Sequence, residues 1–371
     1  MTVSNDFEIL LTTAPGQEPA LASEARDMGF VCLGAVVGGV TIKGGWPEVW
    51  RANLVLRGAT HVLARIGSFR VSHLAQLDKR ARSFPWRGFL RRDVPVRVET
   101  SCKVSRIYHS GAATQRIETA LRAELGIEIA AEAGLCIKAR IENDLCTISI
   151  DTSGDSLHKR GHKEAIGKAP MRETMAAMFL RQCGYTGTEP VVDPMCGSGT
   201  FVIEAAEIAA GLAPGRSRSF AFEQLANFNA AAWRELQASA SERKPEARFY
   251  GSDRDAGAIR MSRANAERAG VAAFTTFEQH PISDILPPAG KPGLVIVNPP
   301  YGTRIGDKKP LFALHGALGR TLMDRFTGWR VGLITTDSSL AKATGLPFHA
   351  PAEPVAHGGL RVRLYQTAPL Q

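Results

Sequence analysis

An open, doubly wound α/β domain preceded by two small α+β units is the architecture this sequence predicts, and three observations carry the prediction. From about residue 171 onward, short and almost continuously apolar stretches (EPVVDPM, ARFYGSD, GLVIVNPP, VGLITTD) alternate with helical spacing, the pattern of parallel strands covered on both faces. The first of these strands runs straight into a carboxylate and a glycine turn, at the edge where such sheets bind ligands. Before residue 155 the strands and helices are shorter and less regular in order, as in α+β units.

Taken from the N-terminus, FEILLTT reads as a strand, EPALASEARDMG as a helix ended by Gly29, and VCLGAVVGGVTIKG as a strand hairpin. WPEVWRANLVLRGATHVLARIGSF adds a helix and a strand, with Val49, Trp50, Leu54, Val55 and Leu56 facing inward, and completes a first unit over residues 1–66. A second unit, residues 67–155, holds an amphipathic helix from Leu74, a strand at VPVRVETS, a helix at GAATQRIETALRAELG, and strands around LCIKARIE and LCTISIDTS. Asp155 to Pro170 is polar, glycine-bearing and basic, so it reads as the connection into the large domain, residues 156–371. Within that domain Asp193 and Asp253 stand 60 positions apart, against about 20 in a compact nucleotide-binding unit. APGRSRSFAFEQLANFNAAAWRELQ is therefore an insertion. Its Arg216, Arg218, Phe220 and Phe222 form either part of a nucleic-acid wall or a helical packing arm.

Composition bounds the function. The 371 residues are 44% hydrophobic and 22% charged, with a net charge of +9, the balance of a globular protein. No apolar run approaches the roughly 20 residues of a membrane span, and the first residues lack the order of a signal peptide, so a cytoplasmic location is expected. The six cysteines include no Cys-x-x-Cys pair; reduced thiols are expected, and no metal site. None of the nine histidines suggests a metal or a catalytic triad, and His158 and His162 read as solvated or RNA-facing. The positive charge is concentrated: Arg51 to Arg116 carries 14 Lys or Arg against three acids, an excess of 11. A phosphate-contacting surface is the sharper reading, a solvated basic face the plainer one.

VVDPMCGSGTFVIEAAEIAAG supplies a strand end, Asp193, the turn glycines Gly197 and Gly199, and an alanine-rich helix. Glycines let the chain reverse sharply and bring its backbone against a ligand. The G-x-x-x-x-G-K-[ST] phosphate cradle is missing, and a carboxylate there would repel pyrophosphate while attracting the cationic methionine end of S-adenosylmethionine. At the next strand end Asp253 is suited to accept both ribose hydroxyls, whereas Asp255 competes for that role or simply starts a helix.

GLVIVNPPYG then sets Asn298, Pro299, Pro300 and Tyr301 after an apolar strand. An exocyclic aromatic amine is a poor nucleophile because its lone pair is delocalised into the ring. The Asn298 side-chain oxygen and the Pro299 carbonyl can accept its N–H bonds, the prolines rigidify those acceptors, and Tyr301 can stack on the base.

With these motifs the chain resembles the THUMP-domain class I RNA guanine N2-methyltransferases, most of all the N-terminal half type among enzymes of large-subunit (23S) rRNA. The resemblance covers nearly the whole chain and includes DTSGDSLHKRG, APMRETMAA, DPMCGSGTFVIEAA, FYGSD and NPPYGTRIG. It implies a ferredoxin-like unit over 1–66, a THUMP RNA-binding unit over 67–155, and a Rossmann-like methyltransferase domain over 156–371. It also implies S-adenosylmethionine contacts along Asp193, Pro194, Met195, Cys196, Gly197, Ser198, Gly199 and at Asp253, catalysis at Asn298 to Tyr301, and Lys168 to Glu173 lying over the cofactor. Near the adenine the family carries an acidic residue where this sequence has Pro281; Asp284 takes its place, or the backbone alone does. Ribosomal RNA is the implied partner, with transfer RNA the alternative, and a monomer making a single modification is expected. A DNA adenine N6- or protein glutamine N5-methyltransferase would share the Asn-Pro-Pro-Tyr turn, but the N-terminal units argue against both. A non-catalytic RNA-binding factor would not need Asp193, Gly197, Gly199 and Asn298 intact.

Overall fold

Seven strands of the first half of the chain join in one sheet in the computed structural model, which describes residues 6–163, 171–239, 242–301 and 309–371. The elements are β1 (Phe7–Thr12), α1 (Glu18–Asp27), β2 (Val31–Val36), β3 (Gly39–Gly44), α2 (Trp46–Val55), β4 (His61–Arg70), α3 (Leu74–Arg82), β5 (Val96–Lys103), α4 (Ser110–Leu125), β6 (Leu135–Glu142) and β7 (Leu145–Asp151). Sheet order is β2-β3-β1-β4-β7-β6-β5, antiparallel but for the β5–β6 pair. The ten-residue β4 explains why the two expected α+β units share one sheet. One edge of β4 bonds to β1 and the other to β7, so the ladder continues without leaving backbone groups unpaired.

Residues 6–13, 22–157 and 218–239 group as one compact unit. The last of these segments resolves the choice left open for the insertion. Phe220 and Phe222 stack with centroids 5.1 Å apart, Trp233 meets Phe222 edge-on at 5.0 Å, and Trp50 of α2 lies 6.2 Å from Phe222. All four rings are buried, so they cannot stack on bases: the segment is a packing arm and not a nucleic-acid wall. Arg218 donates to the carbonyls of Ser153, Asp155 and Ser156.

The second unit comprises residues 14–21, 158–217 and 240–371, less those outside the described ranges. Its elements are α5 (Glu173–Gln182), β8 (Val191–Asp193), α6 (Thr200–Ala209), β9 (Phe249–Asp253), α8 (Ala256–Arg268), β10 (Thr275–Gln279), β11 (Leu294–Val297), α9 (Lys309–Arg325), β12 (Arg330–Thr335), α10 (Ser338–Ala343), β13 (Val355–His357) and β14 (Leu360–Gln366); α7 (Ala230–Ala238) belongs to the packing arm. Sheet order is β10-β9-β8-β11-β12-β14-β13, the first five parallel and β14 antiparallel to both neighbours. The apolar runs VVD and LVIV are buried throughout because helices cover both faces. This is the Rossmann-like arrangement. From β8 the chain winds outward to β9 and β10, then returns to β11 on the other side. The carboxyl ends of β8 and β11 thus flank the topological switch point, where such sheets bind ligands.

Candidate active site

Strand register brings the sequence-predicted groups to one edge. Asp193 pairs with Gly251, so Asp253 stands two residues, about 7 Å, further along that edge. Val191 and Val192 pair with Leu294 and Val295, and continuing that register carries Asn298 past the end of β8 as well. Between them the glycine loop turns through two left-handed residues, Gly197 at φ 54° and Gly199 at φ 83°.

These glycines serve different needs. A Cβ on Gly199 would sit 3.1–3.2 Å from Ser262 and Phe277, whereas one on Gly197 would meet nothing within 4 Å. Gly199 therefore lets α6 start hard against its neighbours, and Gly197 faces the open side, where a ligand can approach the backbone. Two inward-facing polar residues of α8 hold the loop: Ser262 donates to the Gly197 carbonyl at 2.9 Å and Asn265 to the Ser198 carbonyl at 3.0 Å. Sequence reasoning missed this pair, although two fully buried polar residues three apart on one helix face are its signature.

Asp193 is buried, and its Oδ1 accepts the Met195 N–H at 3.1 Å. Burial pushes its carboxyl up to about 8; the Met195 hydrogen bond opposes this and the charge of Asp253 adds to it. Asp253 accepts N–H bonds from Gly197 and Asp255 at 3.1 and 3.0 Å. Asp255 caps α8, accepting from the Gly257 N–H at 2.7 Å, so of its two readings the helix start is the one observed. Pro194 and Ser198 are buried and Met195 is half-buried. Cys196 is buried too, and desolvation raises its thiol well above the ordinary range, which makes it packing and not a nucleophile. Asp284 ends an exposed turn after β10, its carboxylate accepting from the Ser283 hydroxyl at 2.9 Å.

On the other side of the switch point Asn298 is half-buried, Pro299 buried and Pro300 exposed. Among the described residues, the buried Asn298 Oδ1 has no hydrogen-bond partner. Tyr301 packs against the core cluster; burial raises its phenol, and a hydrogen bond with the Asn298 side chain lowers it. The amide oxygen of Asn298 is thus left to accept a hydrogen bond from a donor brought to the site.

The connection departs from its expected character. It is not a solvated linker: Arg160 and Glu204 of α6 form an ion pair at 3.0 Å with each side chain 1% exposed. His162 lies buried 3.5 Å from Glu207, which also pairs with Arg216 at 2.6 Å. Burial lowers the His162 imidazole, so it is neutral and structural, neither solvated nor RNA-facing. Lys163 reaches Glu173 at 2.8 Å and the Thr200 hydroxyl at 2.9 Å. Helix α6 is thus gripped along its length directly behind the glycine loop. Of the segment expected over the cofactor, Lys168 to Pro170 lie outside the described residues, as do residues 302–308 after the Asn298 turn.

Among the described residues no cluster of three or more His, Cys, Asp or Glu could hold a metal, and no helix is long and apolar enough to cross a membrane. A cleft of about 330 Å³ between α8 and β10, lined by Arg263, Glu267, Thr275 and Glu278, includes none of the sequence-predicted site residues.

Residues 160–359 match the family described as RMKL-like, methyltransferase domain, and residues 8–63 the RlmL ferredoxin-like domain. A ribosomal RNA large subunit methyltransferase K/L of Syntrophotalea carbinolica is 34% identical over 95% of this chain and 52% of its own length, so the chain spans about half of that relative. Among solved structures, a possible methylase from Clostridium difficile 630 superimposes with a TM-score of 0.89 at 28% identity, covering 99% of both chains. SMU.472, named as a methyltransferase and solved with SAH, does so with a TM-score of 0.87 at 27% identity, again over 99% of both.

Proposed function

The chain belongs to the RMKL-like methyltransferase family, and from that premise we propose that it transfers the methyl group of S-adenosylmethionine to the exocyclic N2 of a guanine in large-subunit ribosomal RNA. The buried, partnerless Oδ1 of Asn298 carries this reading: a group left so costs free energy unless a substrate donor completes it. The amine of guanine is such a donor.

The site fits the cofactor. The Asp193 carboxylate would face its cationic methionine end, Asp253 its ribose hydroxyls, and the open side of Gly197 its approach to the loop, with Pro194 to Gly199 as the floor and Asp284 beside the adenine. When bound, it supplies an electrophilic methyl. Asn298 Oδ1 and the Pro299 carbonyl orient the amine and return electron density to its nitrogen, while Tyr301 supports the base. The nitrogen gains the methyl and gives up one proton to water. Residues 67–155 we assign to a THUMP unit, which with the ferredoxin-like unit presents the RNA.

Mass spectrometry of ribosomal RNA from a strain lacking this activity, after treatment with the protein and cofactor, should show N2-methylguanosine. N6-methyladenosine, or product in transfer RNA alone, would overturn the assignment. Two measurements test the cofactor site. Asp253→Ala should weaken S-adenosylmethionine clearly in calorimetry; unchanged affinity would move the ribose contact elsewhere. Asp193 is neutral below about 8 in the free protein, and a cationic ligand favours its anion. Affinity should therefore rise with pH below about 8, by up to about tenfold per unit. Asp193→Asn should bind more weakly at pH 8 and differ from wild type by the loss of that rise.

A further inference from the structure

Three non-glycine residues adopt positive φ among the described residues, and all three meet at one tip of the first sheet: Val104 at 45°, Asn143 at 50° and Asp144 at 60°. Asn and Asp tolerate this region in hairpin turns, but a β-branched residue does not, and its strain must be held by its surroundings. Here the holding bonds are plain. Asp144 Oδ1 accepts the Arg106 N–H at 2.8 Å, the Ser105 hydroxyl accepts the Asp144 N–H at 3.1 Å, and Arg70 donates to the Asn143 carbonyl at 3.3 Å. The strained loop between β5 and α4 is thereby fixed to the β6–β7 hairpin.

What the strain achieves is display. Val104 is 74% and Tyr108 85% exposed, and Tyr108 stands just before His109, the N-cap of α4, after a loop pinned through the Ser105 hydroxyl and the Arg106 N–H. Around the tip lie Arg70, Lys103, Arg106 and Arg140, countered by Glu142 and Asp144. An aromatic face held in water beside a surplus of cations suits an unpaired nucleotide, whose base stacks while its phosphates meet the cations. We propose that this tip is a single-stranded RNA-binding site in which Tyr108 stacks on a base and Lys103 and Arg106 contact the adjoining phosphates. The inference rests on the RNA reading above and adds to it the residues and the unpaired state of the RNA they take.

The test uses the full chain and a ribosomal RNA fragment containing unpaired loops. Tyr108→Ala should weaken binding about tenfold, with Tyr108→Phe near wild type. Arg106→Ala should reduce the salt dependence of binding by about one phosphate contact, which Tyr108→Ala should not. Val104→Gly releases the strain but loosens the display, so its melting temperature should hold or rise while RNA binding falls. Ultraviolet crosslinking of 4-thiouridine-substituted RNA should map to residues 104–109. If wild type binds RNA and Tyr108→Ala binds it equally well, this inference fails. Should wild type bind no RNA even at low salt, the ribosomal RNA reading falls with it.

Discussion

Replacing Asn298 with alanine should lower single-turnover methyl transfer by about a hundredfold or more while folding and S-adenosylmethionine affinity persist. The magnitude follows from removing one preorganised acceptor from a site where charge develops on the reacting nitrogen. Stability should hold because, among the described residues, Oδ1 has no partner to lose. Asn298→Asp keeps an acceptor but removes the amide donor and places an anion near the cationic cofactor, so a partial defect is expected. Rate, cofactor affinity and melting temperature measured together separate these outcomes, and a near-normal rate in the alanine variant would show that Asn298 merely ends a strand.

Arg160→Ala should cost about 3–5 kcal/mol of stability, because it leaves Glu204 charged in the core. Both partners are 1% exposed, so water cannot compensate. The paired change Arg160→Met with Glu204→Leu should recover much of the loss, since an apolar pair of similar volume avoids the desolvation of two charges. Denaturant titration of wild type and the two variants decides this. Equal loss in the single and double variants would mean that shape, and not charge pairing, matters at this position.

The sequence was most legible where one residue type can do one job. Apolar runs too short for helices and ended by Asp193, Asp253 and Asn298 could only be buried parallel strands meeting at one edge. Legibility fell where the answer depended on what a residue packs against. DSLHKRGHK reads as solvent-loving because Arg160, His162 and Lys163 are polar, yet Glu204, Glu207 and Glu173 wait across the fold to receive them. Those acids sit within helices that are otherwise largely apolar. The charge excess of Arg51 to Arg116 overstated the basic surface for the same reason. Arg65 answers Glu8 and Arg82 reaches Glu124, both acids outside that segment, and Arg51 covers the Phe30 ring. RVRLYQ belongs to β14, and its alternation, with Arg361 and Arg363 exposed and Val362 and Leu364 buried, is the period of a strand.

The returning arm has a consequence for how the protein is made. Residues 6–157 leave the ribosome well before residues 218–239, which complete their aromatic core, and at about 5–20 residues per second the interval is several seconds. Throughout that time Trp50 lacks the rings of Phe222 and Phe228, set 6.2 and 5.9 Å from it in the finished fold. The nascent first unit is therefore sticky until part of the second has been translated. A gene cut after residue 157 would encode that unfinished state permanently, so the two units cannot be exchanged between proteins as separate cassettes unless the arm travels with the first.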